Sequence, residues 1–280
     1  MTELKNSPVS ELEIRRIIVE TAAHSGESAH IGGSLSMVEL LNTLFAKHLR
    51  HRPDDPHWPD RDIFILSKGH AVLGYLAVLH SYGYFDGEKL ATFQQNESDL
   101  IAHPVKKIDL GIESSNGSLG QGLSYGLGIA VGMRKRGQAE RRVFVMIGDG
   151  ECNEGSVWES AGLAAELGVG NLIAIVDENG LRNDGVNTIH TTPGGPVIAD
   201  IWRAFGWRVI EVDGHELAAI DAAYTDLLSQ SDKPGVIVAK TVKGKGIGFM
   251  EANNDWHHNR VTAAVLEKCY EDLGITPDHV

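Results

Sequence analysis

The chain has 280 residues, 42% of them hydrophobic, and a formal net charge of −13. That length is enough for one large buried core. The acidic balance excludes a nucleic-acid binder, which needs a Lys/Arg stripe to neutralise phosphates, so any anionic ligand must be caught by local geometry.

The N-terminus, MTELKNSPVSELEIRR, is polar and has no signal-peptide core. Helical spacing begins at residues 10–23 and returns at 37–49, and the run DIFIL at 62–66 reads as a strand. At 120–135 small residues three and four apart let a second backbone approach one helix face, in the core or at a subunit interface. RVFVMI (142–147) and NLIAIV (171–176) are strands around a helix at 156–167. WRVIEV (207–212), a helix at 216–228 and GVIVAK (235–240) follow. The strand runs are near-continuous Val, Ile and Phe, as expected of strands buried on both faces. Strands alternating with helices imply βαβ units: one α/β domain over residues 1–280, its mostly parallel central sheet covered by helices on both faces. Ligands then bind at the C-terminal strand ends. No run approaches the roughly 18 apolar residues of a membrane span. Cys152 and Cys269 make neither a disulfide framework nor a zinc set. A cytoplasmic protein with no membrane attachment is expected.

The most informative segment is IGDGECNEGSVWESAGLAAELGVGNLIAIVDENGL, where a strand ends in Gly148-Asp149-Gly150 and Asn179 lies thirty residues after Asp149. GDG alone reads as a tight turn whose Asp caps a helix. In a parallel βαβ unit, however, both strands end on the same side of the sheet, so Asp149 and Asn179 converge. With a nearby carbonyl such as that of Leu181 they make a hard oxygen half-shell, which suits Mg²⁺ completed by waters and phosphates. The flanking glycines let the backbone approach a diphosphate, and a helix N-terminus after them favours negative charge. Cys152 is read as a packing residue. TVKGKGIG is basic and glycine-rich but lacks the order of a P-loop.

GDG followed thirty residues later by a D-x-N-G setting resembles the thiamin-diphosphate signature, and the flanking segments resemble the transketolase family in particular. They are SAHIGGSLS (28–36), DRDIFILSKGHAVLGYLA (60–77), His103-Pro104, SSNGSLGQGLSYGLGIA (114–130), AFGWRVIEVDGH, AKTVKGKGI and NDWHH, in order along nearly the whole chain. The resemblance implies the thiamin-diphosphate-binding fold. It also implies that Asp149, Asn179 and the Leu181 carbonyl hold Mg²⁺, while the Gly150 amide, His70, Lys243 and His257 contact the diphosphate. Gly117, Ser118 and Leu119 line the pyrimidine and thiazolium. His30, His103 and His257 face substrate hydroxyls and the developing oxyanion, and Glu154 joins an interface network. His24, His48, His51, His57, His80 and His190 are read as surface or structural.

The activity implied is transfer of a two-carbon ketol unit from a ketose to an aldose, both expected to be phosphorylated. The expected partner is a separately encoded C-terminal transketolase subunit that holds the aminopyrimidine and donates the activating glutamate, in an α2β2 assembly. A deoxyxylulose-phosphate-synthase-like carboligase fragment, or a non-catalytic subunit retaining the fold, are the alternatives. Three residues depart from the family pattern: Ala29 and Asn116 where Gly and Thr or Ser are usual, and His258 where Gly follows the last histidine.

Overall fold

The computed structural model describes residues 9–187, 197–230 and 232–276. Helix α1 (Glu11–Ser25) starts where the Ser10 hydroxyl accepts from the Glu13 amide at 3.1 Å, satisfying one of the free N–H groups of the first turn. A two-residue strand β1 (Ser28–Ala29) and the short helices α2 (Gly32–Leu35) and α3 (Val38–Thr43) follow. The helix expected at 37–49 is realised as α3 running into a π-helical turn, Leu44–His48.

Strand β2 (Ile63–Leu66), helices α4 (Val72–Ser81), α5 (Gly87–Leu90) and α6 (Gln121–Lys135), strand β3 (Val143–Gly148), helix α7 (Gly155–Glu166) and strand β4 (Leu172–Glu178) come next. The chain continues through a small antiparallel pair, β5 (Leu181–Arg182) and β6 (Gly185–Val186), then α8 (Ile198–Ala204), β7 (Arg208–Asp213), α9 (Leu217–Leu228), β8 (Gly235–Lys240), β9 (Asn259–Arg260) and α10 (Ala263–Leu273).

Five strands form one sheet in the order β2-β3-β4-β8-β7, every pair parallel. Period-two geometry sends Phe144 and Met146 to one face and Val143, Val145 and Ile147 to the other. The first face packs under α1, α3, α4 and α9, the second under α6, α7 and α8. Both faces are covered, which is why the strands read as continuous apolar runs. Each large apolar side chain so buried contributes about 1.5–3 kcal/mol. β7 departs from that expectation. It is an edge strand in which Arg208, Val209, Ile210 and Val212 are half-buried and Glu211 and Asp213 exposed.

Helix α6 divides its small residues between two surroundings. A methyl group on Gly122 would come within 2.4 Å of Ser67, and one on Gly126 within 2.6 Å of Val145, so this side is pressed against the sheet. Gly128 and Gly132 face open space. Among the described residues no helix is long and apolar enough to cross a membrane.

Candidate active site

Four adjacent strands end at one edge, and each passes a functional segment to it. β2 leads into Lys68 and His70, β3 into Asp149, β4 into Asn179, and β8 into Lys243. A cavity of about 440 Å³ opens there and is lined by His30, His70, Asp149, Asn179, Lys243 and His257, among others. Gly117, Leu119, Gly150, Glu154 and Leu181 also border it. Ser118 is exposed and is not among the lining residues. His190 lies outside the described residues.

β3 and β4 are direct neighbours, with Gly148 opposite Asp177. Asp149 and the Asn179 segment therefore leave the sheet side by side. Asp149 does not cap a helix. Its carboxylate accepts from the Gly150 amide at 2.9 Å and from the Gly180 amide at 2.8 Å, tying the two strand ends together. One 3₁₀ turn, Glu151–Asn153, intervenes before α7 begins at Gly155. Burial, with Asp177 close by, pushes the Asp149 carboxyl up to about 6.

The donor chemistry here fits a hard divalent cation. One carboxylate, one carboxamide oxygen and a main-chain carbonyl offer oxygen only, and the open cavity leaves room for waters or phosphate to complete an octahedron. Among the described residues no three His, Cys, Asp or Glu side chains gather as a metal set.

Across the cavity Lys243 is 2% exposed, and burial lowers its ammonium to about 8. Its Nζ reaches neutral partners, His257 Nδ1 at 2.6 Å and Asn254 Oδ1 at 3.2 Å. A buried cation without a carboxylate partner is ready for an anionic ligand. Donation into His257 Nδ1 leaves that imidazole's Nε2–H as a donor toward the cavity. The loop holding Lys243 is itself pinned: the Val242 amide donates to His215 Nε2 at 2.8 Å, and Arg15 Nε donates to the Lys245 carbonyl at 2.8 Å.

The histidines make the most distinctive feature. His30 lies 5.3 Å from His70, 5.8 Å from His103, 5.3 Å from His257 and 4.4 Å from His258, ring centre to ring centre. Burial first, then the neighbouring imidazoles, lowers His30 to about 3. Burial and Lys243 lower His257 to about 4, and burial lowers His70 well below its ordinary value. These rings are neutral at physiological pH, each with one donor and one acceptor nitrogen, the complement of a hydroxyl. Among the described residues, the ring nitrogens of His30, His70, His103 and His258 make no hydrogen bond to protein, although the His30 carbonyl accepts from the Ser34 hydroxyl at 2.8 Å. By contrast His48 binds Asp221, His51 the Phe45 carbonyl, His57 Asp109 and His80 the Phe85 carbonyl. His24 is exposed on α1.

Three groups that hold this site together lie within the motif segments, but the sequence assigned them no role: Asp177 of the D-x-N-G setting, Lys68 two residues before His70, and Glu151 directly after GDG. Asp177, fully buried, accepts from Lys68, Ser36, Thr241 and Asn179 and so joins four segments beneath the cavity. Lys68 also donates to the Gly33 carbonyl at 2.8 Å. Glu151, 2% exposed, accepts from Ser67 Oγ at 2.5 Å, the Gly120 amide at 2.8 Å and the Gly148 amide at 3.2 Å. Burial raises its carboxyl, and the Ser67 hydroxyl and the two amides pull it back. Gly120 adopts φ +81°, and a methyl there would strike Glu154 at 2.7 Å, so its loop needs glycine twice over. Glu151→Ala strands three buried donors. It is expected to lower stability by about 2–4 kcal/mol, read as a fall in the urea midpoint at unchanged slope.

Comparison with known proteins agrees with this geometry. Residues 9–280 match the family "Transketolase, thiamine diphosphate binding domain". An apulose-4-phosphate transketolase subunit from Actinobacillus succinogenes is 38% identical over 93% of this chain and 93% of its own length. The 6-deoxy-6-sulfo-D-fructose transketolase subunit of Clostridium sp. is 35% identical over 93% of each chain. Among solved structures, transketolase from Campylobacter jejuni superposes with a TM-score of 0.86 at 29% identity, covering 96% of this chain but 43% of that one. The chain thus spans about two fifths of the solved transketolases it matches. With the cavity, the parallel sheet and these relatives in agreement, the chain belongs to the transketolase family.

Proposed function

We propose that this chain is the diphosphate-binding subunit of a split transketolase that moves a two-carbon ketol unit from a ketose to an aldose. It would act with a separately encoded subunit carrying the pyrimidine-binding domain, as two copies of each. The observation that carries this reading is the single cavity in which an oxygen donor set, an unpaired buried lysine and a group of unpartnered histidines face one another. Relatives named as subunits match the chain over 93% of their own length, which supports the split arrangement. Two buried free thiols suit a reducing cytoplasm.

When bound, thiamin diphosphate supplies the carbanion chemistry of ketol transfer, and the protein supplies orientation and electrostatics. Asp149, Asn179 and the Leu181 carbonyl would hold Mg²⁺. The Gly150 amide, His70 and Lys243 would take the diphosphate oxygens, with His257 held against Lys243. Gly117, Ser118 and Leu119 would border the rings, and Glu154 at the rim would meet the partner. His30, which lines the cavity, and His103 beside it would face the sugar. A neutral imidazole donates to a carbonyl oxygen as charge grows on it, and accepts a proton from the adjacent hydroxyl. The relatives' names give one phosphorylated and one sulfonated ketose. A ketose with an anionic group is the substrate class proposed here.

The test is reconstitution with the partner subunit, thiamin diphosphate and Mg²⁺ against a panel of ketoses and aldoses, with products read by mass spectrometry. Exchange of a two-carbon unit is expected, and no exchange with any pair would remove the reading. In the same assay His103→Ala should leave cofactor affinity nearly intact while turnover falls roughly 10²–10⁴-fold, the usual cost of a lost acid–base group. Wild-type rates on every ketose would place His103 outside the reaction.

A further inference from the structure

His30 and His258 owe their closeness to a two-stranded ribbon separate from the main sheet. Strands β1 and β9 pair antiparallel, with Ser28 opposite Arg260 and Ala29 opposite Asn259. One further step of that register sets His30 opposite His258, and their rings lie 4.4 Å apart, inclined by 48°. Facing residues of an antiparallel pair interact directly, so the backbone pairing fixes the two imidazoles as a cross-strand pair. The ribbon is held independently of the rings. Gln94 Nε2 donates to the Ser28 carbonyl at 3.3 Å, and Arg260 reaches Glu27 at 3.4 Å.

His30 is half-buried and lines the cavity, whereas His258 is exposed. His70, His103 and His257 also lie within 6 Å of His30, ring centre to ring centre. His258 adds a fourth imidazole to that surround, on the side toward solvent. Neither nitrogen of its ring bonds to protein among the described residues, and no packing requirement holds an exposed imidazole there. Two of the three departures from the family pattern, Ala29 and His258, sit on or beside this one ribbon. The third, Asn116, is buried and accepts from the Ser114 hydroxyl.

We propose that His258 is a specificity-determining residue of the donor-sugar channel. It narrows the entrance beside His30 and offers a ring nitrogen to a sugar oxygen, where a glycine would offer no side-chain donor. The ligand recognised is a polyhydroxylated ketose, and the discrimination is among ketoses that differ in bulk and hydroxyl placement near the channel mouth. This rests on the ketol-transfer reading of the cavity.

The test compares wild type with His258→Gly and His258→Asn in the complex reconstituted with the partner subunit. In His258→Gly, kcat/KM for the preferred ketose should fall roughly 3–10-fold, the worth of one neutral hydrogen bond. For bulkier or branched ketoses it should hold or rise, so the ratio between donors shifts. His258→Asn, which keeps a donor and an acceptor in a smaller volume, should recover part of the loss on the preferred ketose. A second readout needs no turnover: calorimetric affinity for the reduced, polyol form of the preferred ketose should weaken by a similar factor, with thiamin diphosphate affinity unchanged. Identical donor ratios and identical polyol affinity in His258→Gly overturn the proposal while leaving the ketol-transfer reading standing. Absence of ketol transfer by the wild-type complex on any sugar sinks that reading instead.

Discussion

Asp149→Ala is expected to abolish Mg²⁺-dependent binding of thiamin diphosphate in the assembled complex while the fold survives. Asp149 is the one carboxylate in the proposed donor set, and a carboxamide and a carbonyl alone hold a hard divalent cation weakly. Without the cation the diphosphate would have to be held by Lys243, the main-chain amides and the other cationic side chains at the cavity, of which Lys68 is already paired with Asp177. The structural cost is smaller. The substitution frees the Gly150 and Gly180 amides, which border an open cavity that water can enter. A loss of about 1–3 kcal/mol follows for those bonds, with the five-stranded sheet untouched. Asp149→Asn sharpens the test, because its amide oxygen can still accept from one of the two main-chain donors while the negative charge is gone. Calorimetry with and without Mg²⁺, paired with thermal unfolding, separates the two effects. Unchanged Mg²⁺-dependent affinity in either variant would place the metal elsewhere.

The sheet was legible because its strands are buried on both faces: DIFIL, RVFVMI, NLIAIV and GVIVAK are unbroken apolar runs, and each is a strand within a residue or two. Their order was not legible. Crossovers such as β4 to β8, which pair across three intervening strands and two helices, leave no local mark on the sequence. The ribbon of β1 and β9 escaped for a related reason. Two residues per strand carry no periodicity, and the partners lie more than two hundred positions apart. At the site, motif spacing singled out groups that the fold brings to one cavity, but it gave no role to Glu151 and Asp177, although both lie in the same motif segments. Only burial and their sets of donors show that each joins several segments. The histidines divide on the same physical ground. Among the described residues, those read as structural spend their ring nitrogens on protein partners or stand in solvent, and of those read as functional only His257 bonds to protein through its ring.

Purified alone, the chain is expected to show no ketol transfer at any concentration of thiamin diphosphate or Mg²⁺. Its cavity offers groups for the metal, the diphosphate and the sugar hydroxyls, yet among the described lining residues there is no Phe, Tyr or Trp to cover an aminopyrimidine. Two glutamates border the cavity. Both oxygens of Glu151 are already committed to Ser67, Gly120 and Gly148, and Glu154 lies exposed at the rim. Among the described lining residues neither is free inside the site to activate the cofactor, and in the proposed split arrangement that carboxylate would come from the partner. The pyrimidine end would then stay in water when the chain is alone, and cofactor affinity should be weak, because contacts to half the molecule are unmade. Adding the partner subunit should restore both affinity and turnover, with activity saturating near equal molar ratio. Sedimentation should show two copies of each chain at that point. Turnover by the highly purified chain alone, at a rate comparable to the complex, would falsify the split arrangement. Saturation far from equimolar would instead overturn the α2β2 stoichiometry.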